Sequence, residues 1–244
     1  GLFAACQIGF FLEFAITEET TISTRLALTL ITLLLGVIGG RIIPNFTKNW
    51  LKKQGATKLP IVFEQKDMQV LAATLAAMLT WSFLPNSVFA GTLLAIAAIA
   101  NVWRLSRWCG NQTIRSFILL VLHIGFGFIP LGLALLSLAP FGVTDIQTEA
   151  GIHAIFVGAM STLMLGVMVR ATRGHTGYPL ETDLGAAIAF TLIILSALLR
   201  TAVEIVDFGE LHIFALRAAQ LSWCLAFLCF AVFYFSKLTK PRKT

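Results

Sequence analysis

The sequence predicts an all-α, polytopic transmembrane helix bundle with no soluble domain, and three observations carry that prediction. Hydrophobic residues make up 57% of the 244-residue chain and charged residues only 12%, whereas a soluble domain carries about 25% charged residues. The mean hydropathy is +0.86. The apolar residues fall in long unbroken runs, which excludes the alternating pattern of a transmembrane barrel. Disorder is excluded by the same composition, and the 4 cysteines are too few for a disulfide-stapled secreted fold.

A spanning helix needs about 20 apolar residues. Eight stretches qualify, the first incompletely: 1–16, 22–43, 67–84, 87–105, 115–138, 149–171, 184–206 and 211–236. The chain opens on Gly1 already within an apolar run, with no basic segment ahead of it. That reads as a cut inside or just before a membrane helix, not as a signal peptide. Residues 1–244 are therefore expected to form one transmembrane helical domain, a piece of a larger chain. Residues 44–66 are expected to be a basic cytoplasmic loop. Phe46, Trp50 and Leu51 among its lysines leave open a short interfacial helix on anionic lipid.

The basic residues sort by side. Arg41, Lys48, Lys52, Lys53, Lys58 and Lys66 join stretches two and three, Arg104, Arg107 and Arg115 join four and five, and Arg170 and Arg173 join six and seven. Lys237, Lys240, Arg242 and Lys243 form the tail, so all but Arg25, Arg200 and Arg217 of the 18 basic residues share one side. The opposite loops hold Glu18, Glu19, Asp145, Asp207 and Glu210. By the positive-inside rule the even loops and the C-terminus are expected to be cytoplasmic. The net charge of +6 is thus a topology signal, and nucleic acid is not an expected partner. No Rossmann, P-loop, kinase, G-x-S-x-G or H-E-x-x-H motif occurs, so soluble-enzyme readings lack a site.

Ionisable groups inside spans are costly and usually face protein or a cofactor. His123 shares a helical stripe with Leu119, Phe126 and Pro130, while Gly125 and Gly127 permit close approach of another group. A ligand or proton-relay role and a structural role both fit. His153 heads a face with Val157, Met160, Met164 and Met168. Imidazole suits haem iron or copper and thioether suits Cu(I), although a methionine stripe at helical spacing also packs cores. Arg200 and Glu204, at i,i+4, are expected to pair. Arg200 and Arg217 are candidates for haem propionates, with an interhelical salt bridge as the alternative. His212 lies one turn nearer the surface than Arg217, and it could join His153 in an outer-side site. His175 sits in a glycine-flanked turn that ends at Pro179.

Four stretches together resemble the NnrS family of haem- and copper-containing membrane proteins associated with the response to nitric oxide. They are Gly39-Gly40-Arg41-Ile42-Ile43-Pro44-Asn45-Phe46-Thr47, the run from Leu122-His123-Ile124-Gly125 to Ile129-Pro130-Leu131-Gly132-Leu133, His153 to Arg170, and Gly174-His175-Thr176-Gly177-Tyr178-Pro179-Leu180. The resemblance implies haem and copper as cofactors, nitric oxide as a partner, and a bacterial inner (cytoplasmic) membrane location. It also implies that His123, His153 and His175, with Arg41, occupy family motif positions, without saying which histidine holds which metal. The family's amino-terminal His-x-x-His-Glu motif has no counterpart here, as truncation would explain.

At ~1.5 Å per residue, the backbones of His123 and His153 are expected to differ by ~12 Å or more in depth, so two sites, or one metal ligand and one structural histidine, fit better than a single shared ion. Sensing or sequestering a metal nitrosyl, and electron chemistry at the metals, stay equally open, and with them enzyme status. The rival reading is a cofactor-free secondary transporter. In that case helices broken at Gly39-Gly40 and Gly125-Phe126-Gly127 would line a midplane cavity, with His123 as proton relay. A third is a membrane subunit whose buried polar residues serve assembly alone.

Overall fold

The computed structural model describes residues 1–142 and 148–241. The expected outer-loop residue Asp145 and the tail residues Arg242 and Lys243 lie outside the described residues. Each expected apolar stretch is a helix: α1 Leu2–Thr17, α2 Thr21–Lys53, α3 Gln65–Phe83, α4 Val88–Ser106, α5 Phe117–Leu138, α6 Thr148–His175, α7 Leu184–Ala202 and α8 His212–Thr239. Six are long and apolar enough to cross a membrane: α2, α4, α5 to α8. The 16-residue α1 is shorter, and α3 begins on the polar run Gln65-Lys66-Asp67. The chain is a multi-pass helical membrane protein.

Two boundaries correct the sequence reading. The loop expected over 44–66 begins only after Lys53, because α2 continues unbroken through Pro44. Ile43, Thr47 and Leu51 are buried along that continuation, and this inward face holds the helix together past a proline that removes one ladder hydrogen bond. Lys52 and Lys53 in the last turn complement the negative end of the helix dipole. The second concerns Arg104, which the expected stretch 87–105 includes but the charge pattern groups with the basic residues joining stretches four and five. It lies inside α4 and is fully buried.

α5 is the buried centre of the bundle, and α2, α4 and α6 pack around it. α7 and α8 form an antiparallel hairpin against α6, and most of the surface of α8 faces outward. The α5–α6 register is set by glycine. A Cβ on Gly132 would stand 2.7 Å from the Gly151 carbonyl oxygen, so only glycine lets these backbones meet. Further along, Gly158 packs on Phe128 and Gly166 on Leu122. The two helices therefore run antiparallel over their length.

The segments 39–40 and 125–127, which the transporter reading needs broken, are continuous helix. The irregular backbone lies elsewhere. Within α6, Ala154–Met160 is a π-helical turn directly after His153.

Candidate functional site

The π-turn widens α6 just where His153 points toward the α7–α8 hairpin. A π-turn displaces carbonyls from the regular ladder and often marks a functional site. Here the displaced Phe156 carbonyl accepts the Ser161 hydroxyl at 3.1 Å. The same Ser161 oxygen accepts the Trp223 indole N–H of α8 at 3.0 Å. Ser196 of α7 donates to the Ala219 carbonyl of α8 at 2.7 Å. These bonds frame a cavity of about 250 Å³ whose walls include His153, Ser196, Arg200, Gln220, Trp223 and Cys224.

His153 is half-buried. Its Nε2 lies 3.8 Å from Glu204 Oε1, too far for a hydrogen bond. Glu204 is instead engaged by Arg200, the expected i,i+4 pair. The cavity thus gathers an imidazole that makes no hydrogen bond among the described residues and stands at ion-pair distance from Glu204, a guanidinium oriented by that carboxylate, and the Cys224 thiol.

A second polar cluster sits on the other side of α5. Arg104 Nε donates to Asp67 Oδ1 at 2.7 Å, with neither side chain exposed. Arg104 Nη1 donates to the Gly36 carbonyl at 2.9 Å. The guanidinium lies against Gly40, where a Cβ would come within 1.9 Å of Nη2. Arg107 Nη2 donates to Glu64 Oε1 at 2.6 Å at the rim. His123 is close by. Its Nε2 is 2.9 Å from Thr47 Oγ1, and its ring packs edge-on to Trp108 at 6.5 Å. Nδ1 faces Gly110 and has no hydrogen-bond partner among the described residues.

The structure does not bring the candidate histidines together. The level of His153 is marked by the Gly151–Gly132 contact, about nine residues along α5 from His123. That is ~13 Å at 1.5 Å per residue. His175 is exposed at the far end of α6, beside a separate cavity of about 330 Å³ that also includes Phe46 and Arg170. Arg41 is exposed, its guanidinium 5.0 Å from the Phe63 ring centroid. Arg217 is exposed on α8 and His212 is half-buried at its start. Among the described residues no group of three or more His, Cys, Asp or Glu is placed to hold a metal ion.

The family model described as NnrS protein matches residues 1–242. The chain belongs to the NnrS family. No curated protein and no solved structure matches it. Within this family member, the Asp67–Arg104 pair is what sequence reasoning missed. The available signal was a lone acid and a lone base of opposite sign on apolar helices that begin and end on the same side.

Proposed function

We propose that this NnrS-family chain is a haem-binding protein of the nitric oxide response, with His153 as the iron ligand, in a bacterial inner membrane with its C-terminus cytoplasmic. The observation that carries the reading is the half-buried His153 imidazole, without a hydrogen bond among the described residues, on a cavity that also holds a guanidinium. His153 would hold the iron through its imidazole, and Arg200 would hold a propionate carboxylate. When bound, haem iron supplies a coordination position for a small diatomic ligand. The chain's own residues would do the rest. Glu204 fixes the Arg200 guanidinium, the Trp223–Ser161 bond holds the π-turn and so the direction of His153, and the apolar walls limit water. Copper, the other cofactor implied by the family, finds His153 and Cys224 here and would need ligands from outside the described residues. His123, with Nε2 on Thr47 and its ring enclosed by Trp108 and Gly110, is better suited to a structural role.

The test is visible absorption and metal content of full-length protein, wild type against His153→Ala. Loss of the Soret band and of bound iron is expected. Unchanged haem and copper content would make His153 structural and remove the basis of this reading.

A further inference from the structure

Two cavities lie end to end in a furrow between α2 and α6, away from the His153 site. The first, about 330 Å³, is bounded by Phe46, Val167, Arg170, His175 and Leu180 among others. The second, about 210 Å³, is apolar, with walls including Leu35, Ile38, Ile42, Leu163, Met164 and Val167. Val167 is a wall of both. The furrow exists because α2 and α6 lean on α5 rather than on each other. Gly39 of α2 packs on Phe126, and Leu163 of α6 packs on the adjacent Gly125.

Its two ends differ in chemistry. At the first, the Arg170 guanidinium lies 4.0 Å over the Phe46 ring. Among the described residues no carboxylate comes within ion-pair distance of it. A half-buried cation without a countercharge is costly at the edge of a hydrocarbon layer. This end faces the basic side of the bundle, where α2 terminates in Lys52 and Lys53. The other end offers only aliphatic and thioether surface. Along α2 the furrow runs from Leu35 to Phe46, ~16 Å at 1.5 Å per residue. That is close to the hydrocarbon depth of one leaflet, ~15 Å.

We propose that the α2–α6 furrow is a binding site for one anionic phospholipid, its phosphate on Arg170 and an acyl chain along Ile42, Ile38 and Leu35. A phosphodiester supplies the missing countercharge in the forked geometry that arginine favours. The aliphatic groove takes a chain that a free phosphate does not have. Met164, one of two methionines on the groove wall with Met160, then has a role distinct from both metal ligation and core packing. It is 45% exposed, and its flexible thioether adapts to a mobile chain.

The experiment is native mass spectrometry of delipidated full-length protein, titrated separately with phosphatidylglycerol, phosphatidylcholine and inorganic phosphate. Retention of one phosphatidylglycerol in preference to phosphatidylcholine is expected, with no competition from millimolar phosphate. Arg170→Gln should weaken that retention by about fivefold or more. Met164→Trp, which fills the groove at an exposed position and keeps Arg170, should weaken it as well. If Arg170→Gln does not fold, the Met164→Trp and phosphate arms still decide. Equal retention of the two lipids by wild type and variants would reduce the furrow to ordinary annular contact and overturn the proposal. Displacement of phosphatidylglycerol by inorganic phosphate, with Met164→Trp indifferent, would make the ligand a free anion and overturn it equally.

Discussion

Removing the Asp67 carboxylate should be among the most damaging single changes in this bundle. Its side chain is fully buried and does three things at once. Oδ1 accepts from Arg104 at 2.7 Å, Oδ2 accepts the Glu64 backbone N–H at 2.9 Å, and Oδ2 also stands 3.5 Å from Arg107 Nη2. Asp67→Ala would leave the Arg104 cation buried among the Phe63, Trp108 and Phe126 rings, with the Gly36 carbonyl as its remaining hydrogen-bond acceptor among the described residues. Breaking a buried pair from one side costs about 3–5 kcal/mol. The same change opens the capping box at the start of α3, worth about 1 kcal/mol more. Against a native stability of about 5–15 kcal/mol, most of the folded population is at stake. The assay is unfolding in mild detergent followed by tryptophan fluorescence, with the buried Trp108 ring 5.5 Å from the Arg104 guanidinium. Asp67→Leu combined with Arg104→Met removes both charges and should recover most of the loss, since a buried pair contributes little net stability over apolar residues of similar volume. If Asp67→Ala unfolds within about 1 kcal/mol of wild type, the carboxylate is not holding the guanidinium and the argument fails.

Gly40→Ala should destabilise the same place without touching charge, because its Cβ would fall 1.9 Å from Arg104 Nη2; a melting temperature equal to wild type in detergent would contradict the packing described. Asp183 should give the protein an acid-sensitive joint. Burial pushes its carboxyl up, but the Ala186 N–H, the Lys237 ammonium and the Tyr234 hydroxyl outweigh that and hold it below the usual carboxylate value of 3.8. Its contribution is then complete above the unfolded value and lost as pH falls through the lower folded one. A wild-type advantage over Asp183→Asn that is present at neutral pH and vanishes in strong acid is expected, and a pH-independent difference would refute it. For topology, cysteines placed at Gln54 and Asp145 in a background without the native cysteines should be labelled from outside at 145 and not at 54; the reverse pattern would invert the orientation.

Helix positions were legible because burial in lipid demands long apolar runs, and such runs need no knowledge of partners. The Arg200–Glu204 pair was legible for a related reason, since i,i+4 spacing puts both on one face whatever surrounds them. The end of α2 was misread because Pro44 and the lysines after it look like a loop. What keeps the helix going is the inward stripe Ile43, Thr47 and Leu51, whose burial depends on α3–α5 being there. Asp67 and Arg104 are 37 residues apart, and nothing local tells either that the other faces it. The His153 cavity is half legible. Its histidine and arginine stand out as polar groups in apolar helices, while Trp223 and Cys224 look like ordinary lipid-facing residues until α8 is docked. The π-turn left no trace in composition, because Ala154–Met160 reads as unremarkable helix.

That turn sets a phase. A π-turn adds a residue to a helix without adding a full step of its ladder, so the segments before and after it are rotated relative to a regular α-helix. Gly166 keys the part of α6 after the turn onto α5, Gly158 keys the turn itself, and Gly151 keys the part before it. Each residue of an α-helix turns the chain by about 100°. Deleting one residue between Ala154 and Met160 would restore a regular helix and force a choice. Either the glycine contacts stay in line and strain accumulates, or the leading turn swings by about that angle and carries the His153 imidazole off the α7–α8 cavity. The direction in which this histidine looks is therefore fixed by a count of residues rather than by any bond that its ring makes.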